Sequence, residues 1–306
     1  MSRINLPECI TVFERGWLSS NNILITGLNH SALIDSGYAT HSSQTLALVE
    51  TALNGRALDV LINTHLHSDH CGGNAALQTR YPAMHTLIPP GHAHLVASWD
   101  AYALSYTPTG QHCDRFGFSN TLQPGADVEL GHQRWQIHAA PGHDTHSVIL
   151  FEPVSRTLIS ADALWENGFG VVFPELDGAD AFTEVAQTLD LIESLNPAIV
   201  IPGHGTAFTD VNEALARARK RLNGFVQDPD KHIRYAAKVM IKFKLLEVQQ
   251  ISVSAMQEWA CATDLVTHIY RTHFSDLGFE MWVETLIDDL VRAGAAKREQ
   301  RMLLNA

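Results

Sequence analysis

The chain is poor in cysteine, poor in positive charge and free of long apolar runs. Its 306 residues hold 4 cysteines, Cys9, Cys71, Cys113 and Cys261, with no framework spacing. A chain of this length can bury a sizeable core and needs no disulfide staples. No stretch approaches the roughly 20 apolar residues of a membrane-spanning helix. The opening Met1-Ser2-Arg3-Ile4-Asn5-Leu6-Pro7 is too short and polar for a secretory leader. These absences predict a soluble, cytoplasmic protein with no membrane partner. Lys and Arg number 21 against 33 Asp and Glu, a net charge of −12. The deficit is uneven: residues 1–210 hold 7 basic and 21 acidic side chains, whereas 211–306 hold 14 and 12. Negative charge repels polyphosphate and anionic lipid, so no nucleic-acid partner is expected, and the split suggests two modules. The G-x-S-x-G nucleophile elbow is absent, and so are internal repeats and low-complexity segments.

Histidine, by contrast, is abundant, with 17 residues. Thr64-His65-Leu66-His67-Ser68-Asp69-His70-Cys71-Gly72-Gly73 puts three imidazoles and a carboxylate into six consecutive positions. The apolar run Ala57–Asn63 before it has strand length. Beyond a strand, residues two apart point the same way, so His65 and His67 can share one metal. Asp69 and His70 fall where helix-favouring sequence begins and can face a second metal. Pro141-Gly142-His143, Ser160-Ala161-Asp162 and Pro202-Gly203-His204-Gly205 follow in similar post-strand settings. Five histidines and two aspartates so placed read as a site for two metal ions. Imidazole and carboxylate suit zinc, iron and manganese alike.

The order H-x-H-x-D-H, Gly-Gly, Pro-Gly-His, an isolated Asp and Pro-Gly-His-Gly resembles the metallo-β-lactamase superfamily over residues 20–210. The resemblance implies an α/β fold, an αββα sandwich. It implies that His65, His67 and His143 hold one metal, that Asp69, His70 and His204 hold the other, and that Asp162 bridges them. The bridging Asp resembles the glyoxalase II and lactonase branch. Two divalent ions are then the cofactors, zinc first, with iron or manganese as alternatives. The expected activity is hydrolysis of an ester, lactone or thioester of a small-molecule substrate by a metal-bridging hydroxide. Asp69 is the expected catalytic carboxylate, orienting that hydroxide and passing its proton on. The alternative is a mononuclear iron dioxygenase acting on persulfides. Superfamily nucleases share the motif, but the acidic first module opposes that reading.

Elsewhere, strands are expected near 10–13, 22–27 and 31–37, then a helix over 43–55. Asp35 ends a strand beside Gly37, and the resemblance implies that it orients a metal-binding imidazole. Residues 91–125, with His92, Trp99, Tyr102, Tyr106 and Phe116, read either as an aromatic substrate pocket or as a helical hairpin. The resemblance to the lactonase branch makes Tyr102 or Tyr106 a candidate donor to an oxyanion. Cys71 reads as a small buried side chain rather than a ligand. A helix over 180–195 has Phe182, Val185, Leu189 and Ile192 on one face, and another spans 210–227. Gln227-Asp228-Pro229-Asp230 breaks the chain, giving domains 1–227 and 228–306. The second is expected to hold helices over 231–246, 252–273 and 278–293 and a β-wing over 294–304, a small, mostly helical, winged-helix-like appendage that packs or forms a homodimer.

Overall fold

The computed structural model describes residues 4–306. In its first half, β1 (Ile10–Phe13), β2 (Asn22–Thr26), β3 (Ser31–Ile34), α1 (Ser42–Leu53), β4 (Val60–Ile62), α2 (Ser68–Cys71), α3 (Asn74–Arg80), β5 (His85–Ile88), α4 (Ala93–Ser98) and β6 (Asn120–Thr121) build a six-stranded sheet in sequential order. Its first three strands are antiparallel and the rest run parallel. Then β7 (Asp127–Leu130), β8 (Gln133–Ala139), β9 (Val148–Glu152), β10 (Thr157–Ala161), α5 (Phe173–Leu176), α6 (Ala181–Leu195), β11 (Ile199–Pro202) and α7 (Val211–Gln227) contribute a five-stranded sheet ordered β11-β10-β9-β8-β7.

The strand period of two explains the layering. Ile23 and Ile25 join Ile34 and Ile62 in one core with Trp135, Ile137, Leu150, Ile159 and Ile201 of the second sheet. Leu24, one residue out of phase, points the other way with Leu33 and Leu61, onto Val49 and Leu53 of α1 and Leu77 of α3. Apolar residues on both faces make these strands buried on both sides. The result is the αββα arrangement.

Contacts divide the chain into two compact units, 4–104 with 112–223, and 105–111 with 224–306. The second unit contains α8 (Pro229–Val248), β12 (Gln250–Ser252), α9 (Val253–Ala262), α10 (Asp264–His273), α11 (Phe279–Arg292), β13 (Ala296–Glu299) and β14 (Met302–Asn305). Its three strands pair antiparallel in the order β12-β14-β13, so a wing follows the helices. The helix expected over 252–273 is two helices. Thr263 between them is extended (φ −97°, ψ 113°), which a continuous helix does not allow. No helix among the described residues is long and apolar enough to cross a membrane.

The 91–125 stretch is not a helical hairpin. It contains one short helix, α4, and then turns, and its residues 105–111 belong to the second unit. Tyr106 is buried there, while Tyr102 is exposed on the first unit.

Candidate metal centre

Every candidate ligand sits just past a strand or at the first turn of a helix. His65 and His67 follow β4, Asp69 and His70 lie in α2, His143 follows β8, Asp162 follows β10 and His204 follows β11. The loops bring two groups together: His65, His67 and His143, and Asp69, His70, Asp162 and His204. Within each group one ligand atom per residue lies within 4.8 Å of the others.

Asp162 joins the groups. Its Oδ2 is 3.4 Å from His143 Nε2, and its Oδ1 is 3.4 Å from His70 Nε2 and 3.8 Å from His204 Nε2. Ala161 before it has φ +47°, a left-handed backbone that costs an alanine on the order of 1 kcal/mol. The β10–β11 register shifts between Ile159 and Ala161. The irregularity turns the chain out of the sheet at Asp162.

Neighbouring groups fix the imidazole tautomers. His143 Nδ1 donates to the Val171 carbonyl at 2.5 Å, which leaves Nε2 with its lone pair toward the group. His70 Nδ1 donates to Asp35 Oδ2 at 2.7 Å, so Asp35 orients an imidazole as the sequence suggested. His65 Nε2 and His70 Nε2 are buried without a hydrogen-bond partner. Two unpaired buried ring nitrogens would be costly, about 1–3 kcal/mol each, unless a Lewis acid accepts their lone pairs. The donor set of nitrogen and oxygen fits divalent zinc, iron or manganese.

The electrostatics agree. Burial pushes His65 well below the usual imidazole range, with neighbouring His70, His67 and His143 adding to the effect. Burial likewise lowers His143 to about 4 against the opposing pull of Asp162. These rings are neutral donors near pH 7. Burial also presses His70 down, but Asp35, Asp162 and Asp69 outweigh it and raise its pKa well above normal. Burial raises Asp69 and Asp162, yet His70 and His204 pull both below the usual carboxylate range. The pocket holds a surplus of anionic oxygen and favours a cation.

Several neighbours gave no signal in the sequence. Trp17 is 55% exposed and stacks on His204 with ring centroids 5.3 Å apart. Trp165 Nε1 donates to Asp162 Oδ1 at 3.2 Å. Phe173 sits edge-on to His67 at 5.1 Å. Asp144 Oδ2 lies 3.9 Å from His67 Nε2. Two of them lie close in sequence to candidate ligands, Trp165 three residues after Asp162 and Asp144 directly after His143. Cys71 Sγ turns to the carbonyls of His67 and Leu66 and is in neither ligand group.

The metallo-beta-lactamase superfamily model matches residues 15–204, which include every candidate ligand. The chain belongs to the metallo-β-lactamase superfamily. Among its superfamily relatives is a hydroxyacylglutathione hydrolase of Brucella anthropi, 25% identical over 177 residues, 56% of each chain. The chain spans little more than half the length of the first curated relatives it matches, 56% and 61%. A beta-lactamase domain protein from Burkholderia ambifaria shares the fold at 17% identity with a TM-score of 0.61, the match covering 99% of this chain and 94% of that one. A protein solved in a di-iron-bound form is 25% identical with a TM-score of 0.53, over 68% of this chain and 98% of that one.

Proposed function

We propose that the chain is a dinuclear metal-dependent hydrolase of ester, lactone or thioester bonds. The observation that carries this is Asp162, whose two oxygens each face a different ligand group at 3.4 Å. In this reading His65, His67 and His143 hold one ion, Asp69, His70 and His204 the other, and Asp162 both. When bound, two divalent ions depress the pKa of water toward neutrality and polarise a carbonyl. Asp69 Oδ2 faces His204 Nε2 at 3.1 Å and His70 Nε2 at 3.9 Å. Its Oδ1 is then the atom to take a proton from the attacking water and return it to the leaving group. Trp17 and Phe173, one beside each group, offer apolar surface to a substrate.

The relatives named hydroxyacylglutathione hydrolase support hydrolysis, but three of the four basic residues of α7 that could meet a glutathione carboxylate are engaged. Arg217 Nε donates to the Glu166 carbonyl at 2.8 Å, Arg219 pairs with Asp190 and Glu193, and Arg221 lies 5.4 Å over the Phe169 ring. An uncharged ester or lactone is therefore preferred. The mononuclear iron dioxygenase would leave the convergence of Asp69, His70 and His204 without a role. The metals are proposed as zinc, with iron the next choice because a relative binds two irons. The second unit is proposed as a packing or homodimer module; α11 carries Glu280, Glu284 and Asp288, a poor surface for nucleic acid.

Elemental analysis of protein purified without added metal, counted per chain, tests the reading together with hydrolysis of ester, lactone and glutathione thioester panels. Two ions per chain and turnover of at least one panel are expected. One iron per chain with oxygen uptake on persulfides would replace the hydrolase with the dioxygenase.

A further inference from the structure

Cys71 and Cys113 meet outside the ligand groups. Their Sγ atoms are 3.9 Å apart, although 42 positions separate them in sequence. Cys71 is the last residue of α2 and is buried, while Cys113, between α4 and β6, is partly exposed. No cysteine is in a disulfide. Tyr38 holds the two segments side by side. Its hydroxyl accepts from the His112 N–H at 3.0 Å, one residue before Cys113. Its backbone backs α2 so tightly that a Cβ on Gly72 would lie 3.0 Å from the Tyr38 carbonyl carbon. The approach of the two thiols is thus a product of packing on both sides.

We propose that Cys71 and Cys113 form a reversible disulfide when the protein meets a peroxide, and that the bond straps residues 112–118 to the helix carrying Asp69 and His70. Cys113 is the thiol that solvent reaches. Its sulfur attacks the O–O bond of hydrogen peroxide, giving a sulfenic acid and one water. The Cys71 sulfur then displaces the hydroxyl from that sulfur, and the hydroxyl leaves as a second water with the Cys71 proton. Two thiols lose two electrons, and one peroxide gains them.

The sulfurs must close to about 2.05 Å. The helix side cannot yield easily. The His70 carbonyl accepts from Ser36 N at 2.7 Å and from Asn63 Nδ2 at 3.1 Å. Cβ atoms on Gly72 and Gly73 would each meet backbone at 2.5 Å. Asp114 and Arg115 beside Cys113 are exposed. Closure therefore moves the exposed segment and leaves the ligand helix in place. The proposal does not depend on the hydrolase reading.

The test uses the reduced full chain, treated with hydrogen peroxide, quenched and alkylated. Two of the 4 cysteines should escape alkylation. The intact mass before alkylation should fall by about 2 Da, and one cross-linked peptide should contain Cys71 and Cys113. Dithiothreitol should restore all the thiols. Tryptic cleavage after Arg115 should slow in the oxidised form, and metal content should not change. Cys113→Ser should abolish the cross-link, while Cys261→Ser should not. Full alkylation after peroxide, oxidation of the two cysteines singly to sulfinic or sulfonic acid, or a bond to Cys9 or Cys261 would overturn the proposal.

Discussion

Asp35 Oδ2 accepts from His70 Nδ1 at 2.7 Å and from the Thr64 hydroxyl at 2.8 Å. Thr64 Oγ1 lies 3.2 Å from His65 Nδ1. One carboxylate therefore sets the ring of one histidine in each ligand group, directly for His70 and through Thr64 for His65. Asp35 can stand there because its backbone is left-handed, φ +58°, a conformation Asp tolerates better than most residues. Asp35→Asn should keep the fold and weaken metal binding about 10–100-fold. Competition with a chromophoric chelator measures this. Unchanged affinity would remove Asp35 from the account.

Asp162→Ala should cost more, because both groups lose an oxygen. Metal content should drop below two per chain, and hydrolysis of the best ester or lactone should fall about 100-fold or more. His67→Ala should do the same through the first group alone. Elemental analysis and steady-state rates on the same preparations check both variants. Full activity in either would sink the ligand assignment.

Gly170 packs against the ring of His143, a candidate ligand. A Cβ there would come within 2.3 Å of His143 Nδ1, the atom that donates to Val171. Gly170→Ala should therefore displace His143 and lower metal affinity by about tenfold or more while far-ultraviolet circular dichroism stays native. Wild-type affinity in this variant would show that the 165–171 loop yields instead of the ring.

Asp289 supplies a pH dependence away from the metals. Burial raises its carboxyl, but Arg234, Lys238 and Arg292 outweigh it and hold the pKa below the ordinary 3.8. A carboxylate depressed in the folded state contributes stability that is present above 3.8 and lost as pH falls through the folded value. Asp289→Asn should cost about 1 kcal/mol at neutral pH and flatten the acid limb of the stability curve below pH 4. Urea melts of both proteins from pH 2 to 7 measure this; parallel curves would contradict it.

Much of the sandwich was legible because strand alternation is local. Ile23-Leu24-Ile25 reads as a doubly buried strand before any partner is known. The α6 stripe of Phe182, Val185, Leu189 and Ile192 is equally plain, and all four residues are buried. The 252–273 stretch misled because helix periodicity continues on either side of Thr263. The helical-hairpin reading of residues 91–125 failed because Tyr106 is buried in a unit that, apart from 105–111, consists of residues more than 100 positions further on.

The candidate ligands were legible in the sequence, since imidazoles and carboxylates at strand ends in H-x-H-x-D-H spacing carry their chemistry wherever the strands go. The fold decided which oxygen of Asp162 faces which group, that Asp35 governs both groups, and that Trp17 covers His204. It also set Cys71 beside Cys113. Those relationships join residues 19 to 187 positions apart, and only the tertiary packing brings such distant side chains within a few ångströms.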